Sequence, residues 1–179
     1  MPAGRSTPSN PLLGANLLAL AAHVALVVGW FRMLPERYPC HFDAAGVADA
    51  WTRGDDPRWF IGLAGAVVVD GMMLGLSWLM WRIPLRWMNL PDKQRLLALP
   101  AEAVAPIRKA LSDMLLSVGI LVVILFTAVF RSAFRAATGA SERFESGIVF
   151  AATALVLAGT IVQTVRLYRV VREVARRAP

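Results

Sequence analysis

Two small groups of side chains in this sequence are of types that do chemistry. The first lies between Met33 and Pro57, where His41 sits near Asp43 and Asp49, with Glu36 a little upstream. One imidazole among carboxylates suits proton transfer or weak metal binding, because histidine titrates near neutral pH. A zinc site needs three or four ligands, and this spacing matches no metal motif, so no metal and no cofactor are expected. Nothing resembles a nucleophile elbow or a Cys–His signature, and no catalytic residue is assigned. Three uses remain open for the group. His41 and Asp43 hydrogen-bond the loop backbone while Phe42 and Trp51 pack it onto helix ends, or the loop recognises a partner, or an envelope enzyme or weak metal site centres on His41 and Asp43.

The second group is His23 and Asp70, each alone inside a long apolar run. Counted from the helix ends at roughly 1.5 Å per residue, both fall near the middle of their runs and at similar depth. Ionisable residues within a membrane are costly, face the bundle interior and often mark proton or substrate pathways. The expectation is a His23–Asp70 contact, serving either as a proton relay or as a plain interhelical hydrogen bond. Asn16, Ser77 and Gln163 extend a polar track from it.

The elements that position both groups are set by composition. Apolar residues make up 57% of the 179 and charged ones 17%, against roughly 45–50% and about 25% in globular chains. Four apolar blocks, Leu12–Phe31, Trp59–Trp81, Met114–Phe130 and Gly147–Val165, are bounded by charged residues. Each approaches or exceeds the ~20 residues a helix needs to cross a bilayer. None alternates as barrel strands do. The fold class expected is therefore all-α: a four-helix transmembrane bundle with one short ordered loop outside. Its helices cover about 12–32, 58–82, 111–131 and 146–166. They form a membrane domain over 12–166, flanked by tails at 1–11 and 167–179 and interrupted by loops at 33–57 and 83–110.

The first block is too long for a signal peptide and is followed by no cleavage site. The net charge of +7 does not mark a nucleic-acid binder, because the basic residues lie in the gaps between blocks instead of on one face. Their distribution orients the chain. With both termini cytoplasmic, the inner side holds Arg5, Arg82, Arg86, Lys93, Arg95, Arg108, Lys109, Arg166, Arg169, Arg172, Arg176 and Arg177. The outer side then holds Arg32, Arg37, Arg53, Arg58, Arg131, Arg135 and Arg143, which is seven against twelve. Trp51, Trp59, Trp78, Trp81 and Trp87 lie near block ends, where interfacial anchors belong. The implied location is a plasma or inner membrane crossed several times, with the bilayer itself as one partner.

The outer loop is dense in turn chemistry. Pro35, Pro39, Gly46, Gly54 and Pro57 punctuate it, Asp43 can make an Asx-type bond, and Gly46 is free to take positive φ. That predicts an ordered cap. Leu34-Pro35, Pro39, His41-Phe42-Asp43, Gly46, Asp49 and Trp51 together resemble the signature of the bacterial domain-of-unknown-function 1648 family. A second stretch, Asn89, Pro91, Asp92 and Lys93, resembles the inner-loop segment of that family's short members. Tyr38 departs from the signature, as does Leu96-Leu97 in the inner loop. The resemblance implies a small bacterial membrane protein. The same domain occurs in immunity proteins against a sporulation-delaying toxin, but those carry additional membrane segments.

Elsewhere, Gly71 and Gly75 form a G-x-x-x-G, with Gly62 and Ala66 above it, allowing close approach within the bundle or of a second copy. Leu96, Leu97 and Leu99 suggest a short amphipathic helix on the membrane, started by a turn at Asn89–Asp92. The basic tail from Arg166 to Pro179 continues helically, with Val170, Val171 and Val174 offering an apolar side, for the inner leaflet or for solvent. Cys40, the single cysteine, excludes an intramolecular disulfide. The leading expectation is a non-enzymatic sensor, immunity-like or accessory protein recognising an unknown envelope protein or peptide. The rival is a small transporter or proton-coupled channel component using His23 and Asp70.

Overall fold

The structure is a computed structural model of the chain, described for residues 10–177. Arg5, counted above on the inner side, lies outside the described residues, as does most of the 1–11 tail. Four helices are long and apolar enough to cross a membrane. They are α1 (Pro11–Phe31), α2 (Phe60–Leu79, led by a 3-10 turn at Pro57–Trp59), α4 (Ala105–Ala137) and α5 (Ser146–Arg176). A five-residue helix, α3 (Lys93–Leu97), lies between α2 and α4.

Local chemistry sets the ends. Asn10 caps α1 by accepting from the Leu12 N–H at 3.0 Å, ahead of Pro11, and proline costs nothing at that first turn. Asp56 caps the 3-10 turn through the Arg58 N–H. Gly139, with φ of 72°, follows the end of α4, the left-handed position where glycine carries no Cβ penalty.

α4 is the hub. It packs against α1, α2 and α5, whereas α5 packs on α4 and α3 with no comparable interface to α1 or α2. The helices therefore cluster around one member instead of closing into a ring.

Three expectations need correction. The loop at 33–57 is not merely an ordered connection in an all-α protein: β1 (Arg37–Phe42) and β2 (Ala48–Arg53) pair antiparallel as a hairpin. Its bend is a turn closed by Gly46 N–H to Asp43 O and Asp43 N–H to Val47 O, both 2.9 Å, with Gly46 at φ 76°. That is a tight hairpin loop ending in a left-handed glycine. The sequence hid it because Pro39 interrupts the strand pattern. Irregular register on either side of His41 accommodates that proline, as bulges do.

Second, α4 runs well beyond the expected 111–131, at 33 residues, while α5, at 31, carries the helical continuation expected of the tail through Arg176. They reach about 50 and 46 Å at ~1.5 Å per residue. The division at 166–167 is thus not a break in structure. Third, the extra length packs on itself. Leu96 and Ile107 are fully buried against Val171, Val174 and Ala175, so α3 and the basic tail cover each other's apolar sides.

At the hairpin end a second cluster joins Val27, Tyr38, Trp59, Phe130 and Ala137. Trp59 is only 7% exposed, and its indole Nε1–H donates to the Val27 carbonyl at 3.2 Å. It is a core residue, not an interfacial anchor; Trp51, Trp78, Trp81 and Trp87 are exposed.

Candidate functional site

The hairpin is fixed on one face and open on the other. Tyr38 and Pro39 of β1 are buried, and the Tyr38 ring meets Trp59 edge-on at 5.6 Å. Burial pushes the Tyr38 hydroxyl pKa up, with the nearby Asp56 charge adding to it. Phe42 packs on Phe144 at 5.1 Å, and the Phe144 N–H donates to the Gly46 carbonyl at 2.9 Å. A Cβ at Gly46 would come within 2.9 Å of Phe144 O, so the bend is pinned to the α4–α5 connection. At the base, Asp56 accepts from the Arg58 guanidinium and from the Thr52 hydroxyl. These bonds hold its carboxyl well below the usual range.

The motif residues divide accordingly. Asp43 belongs to the fold: its Oδ1 accepts from Ala45 and Val47 N–H at 2.9 and 2.8 Å. Pro35, Pro39, Phe42 and Gly46 shape or seat the hairpin. His41 instead faces away, its Nδ1 at 2.6 Å from Asp49 Oδ1 across the strands, with both side chains exposed. Trp51, expected to pack the loop down, is 54% exposed; Tyr38 fills that role. Cys40 is free and exposed. Beneath the hairpin a cavity of about 620 Å³ opens between α2, α4 and α5, roofed by Tyr38, Pro39, Cys40 and Phe42. No group of three or more His, Cys, Asp or Glu able to hold a metal ion occurs among the described residues.

Inside the helix cluster, His23 and Asp70 are both fully buried, but they bond to different partners. His23 Nδ1 lies 2.8 Å from Thr127 Oγ1. The Thr127 hydroxyl already donates to Val123 O at 2.8 Å, so His23 Nδ1 must be the donor and Nε2 the acceptor nitrogen. Asp70 pairs with Asn16, whose Nδ2 donates to Asp70 Oδ1 at 3.0 Å and to Leu116 O at 3.2 Å. The expected His23–Asp70 contact is absent among the hydrogen bonds and ion pairs of the described residues. The reason is axial: Asp70 sits level with Asn16, seven residues or about 10 Å along α1 from His23.

The polar track is likewise a set of separate pairs. Ser77 meets Ser112 at 2.7 Å, and Gln163 Nε2 donates to Ser117 at 3.1 Å. Below them, buried Asp113 accepts from Asn10 at 2.9 Å and Lys109 at 2.6 Å, with Arg166 at 3.9 Å, joining α1, α4 and α5. Sequence reading took Asp113 for the edge of a block. Its heptad-like neighbours Lys109 and Leu116 were the available signal that the helix continued past it. Gly119 was also missed: a Cβ there would lie 2.6 Å from both Asn16 Nδ2 and Asp70 Oδ1.

The inner-loop motif organises a turn. Asp92 takes φ of 52°, the one positive-φ residue other than glycine among those described, and stands at the start of α3 without a side-chain cap bond. Asn89 and Asp92 are exposed, Pro91 and Lys93 half-buried. Gly71 and Gly75 meet nothing within 4 Å of a built Cβ, whereas Gly62 abuts Phe130. The G-x-x-x-G is therefore unused within the chain.

The fold and site define the class: an α-helical protein with four helices suited to a membrane, a docked β-hairpin at one end and a buried polar seam. No family model, no curated protein and no solved structure matches the chain.

Proposed function

We propose that the protein is a non-enzymatic, multi-pass protein of a bacterial plasma membrane, with cytoplasmic termini, that recognises an envelope protein or peptide through its hairpin. The observation that carries this is the division of labour in the hairpin. Its aromatic face is locked to the helices, while Trp51 and the His41–Asp49 pair stand exposed on a rigid frame. Exposed tryptophan on a pre-organised support is the composition of a binding hot spot. The resemblance to the domain-of-unknown-function 1648 signature supports the same surface, since its motif falls on this hairpin.

The test is capture of partners from native membranes by the tagged chain, comparing wild type with a His41→Ala, Trp51→Ala double variant at matched folded abundance. Asp43 is left intact because its carboxylate builds the turn. A protein or peptide retained by the wild type and lost from the variant is expected. Identical captured sets would sink this function.

A second function, a small transporter or proton-coupled channel component, is favoured by one observation: Asp70 is fully buried and forms no ion pair among the described residues.

A further inference from the structure

We infer that Asn16 and Asp70 form a binding site for a monovalent cation, a proton or a sodium ion, reached from the end of the bundle opposite the hairpin. The inference refines the transport function above by moving the site from the His23–Asp70 pair to the Asn16–Asp70 pair.

Asn16 and Asp70 are fully buried and joined by one hydrogen bond at 3.0 Å. The other oxygen of each, Asn16 Oδ1 and Asp70 Oδ2, has no partner. Both orphans are acceptors, and they belong to one bonded pair. A buried acceptor without a donor is destabilising, more so when charged. A species that bonds both acceptor oxygens relieves them at once; a water would do so by donating twice, and a cation would do so while also compensating the Asp70 charge. A proton on Asp70 Oδ2 would close an acid–amide ring with Asn16; a sodium ion would take both oxygens as hard ligands.

No protein charge does this work instead. α2 holds no other ionisable residue, and α4 holds none between Asp113 and Arg131. On α1 the one ionisable side chain is His23, which is turned to Thr127. Lys109 is held by Asp113.

On one side a cavity of about 330 Å³ between α1, α2 and α4, lined by Asn10, Trp81 and Lys109 and by Leu13, Leu74 and Leu116, approaches the pair. Leu13 and Leu74 stand one helical turn from Asn16 and Asp70, and Leu116 supplies the carbonyl that Asn16 bonds. On the hairpin side the aromatic cluster around Trp59 and Phe130 closes the path. Gly119 brings the α4 backbone against the pair and fixes its depth.

The experiment follows thermal unfolding of the detergent-purified full chain in sodium, potassium and choline chloride at constant ionic strength, each at mildly acidic and mildly alkaline pH. Wild type, Asp70→Asn and Asn16→Ala are compared. A sodium-specific rise in melting temperature of roughly 2–4 °C or more, lost in Asp70→Asn, identifies the metal ion. Stability that falls with rising pH in the wild type but not in Asp70→Asn, with no salt preference, identifies the proton. A wild type indifferent to both cation and pH overturns the site, whether or not the variants fold. Flux into liposomes is read separately. A cation shift without flux keeps the site and removes the transport function, and flux without a shift does the reverse.

Discussion

The hairpin end and the polar seam are both buried, about 16 Å apart as measured along α1 from Val27 to Asn16, and they are held by opposite chemistry. Around Trp59 the contacts are aromatic edges at 5.2 and 5.6 Å to Phe130 and Tyr38, and the indole N–H is satisfied. In the seam the contacts are single hydrogen bonds between short polar side chains, and three acceptor atoms, on Asn16, His23 and Asp70, go unpartnered. An apolar cluster gains from every neighbour without regard to direction. A polar pair depends on one geometry and leaves a remainder when that geometry is incomplete. The buried hairpin end is therefore a structural lock that seats the exposed face of the hairpin, and the seam is the part left with unsatisfied polar atoms.

The comparison predicts where substitutions hurt. Trp59→Ala removes the centre of the lock and should cost about 3–5 kcal/mol, read by denaturant unfolding in detergent. A loss under about 1 kcal/mol would mean that the hairpin is not seated as described. Gly119→Ala pushes a methyl into the Asn16–Asp70 pair and should cost about 1–3 kcal/mol. Unlike Trp59→Ala, it should also abolish any cation or pH response of the melting temperature. If both variants lose stability and keep that response, the seam is only packing.

Ser77→Ala tests the seam away from the proposed site. It deletes a bond to Ser112 worth about 0.6 kcal/mol, and should leave the cation response intact. The smallest effect belongs to Asp56, at the foot of the hairpin. Its folded carboxyl is held below the ordinary range by Arg58 and Thr52. The stability it contributes is therefore present above the unfolded value of about 3.9 and is lost as pH falls through the lower folded value. Asp56→Asn should lower stability modestly at neutral pH and flatten the acid limb, so that variant and wild type converge at low pH. An unchanged acid limb would separate Asp56 from the lock.

Much of this was legible before any coordinates. Hydropathy is a sum over neighbours in sequence, so four long apolar helices follow from composition alone. The density of proline, glycine and aspartate at 33–57 marked an ordered segment for the same reason. His23 and Asp70 stood out because ionisable residues are rare in such runs, and both are indeed fully buried.

What the tertiary structure decided is which residues meet. Asp70 chose Asn16 over His23 because partner choice depends on the depth and rotation of two helices against a third. That third helix is α4, brought close at Gly119. Tyr38, not Trp51, seats the hairpin: Tyr38 packs on Trp59, while Trp51, paired across from Pro39, stays exposed. Val171 and Val174 of the tail are buried because α4 and α5 extend together far enough to cover each other and Leu96. Local sequence fixes how apolar a segment is and where it bends, since those are properties of neighbours along the chain. Pairings among side chains tens of residues apart depend on the relative placement of whole helices, and only the assembled fold sets that placement.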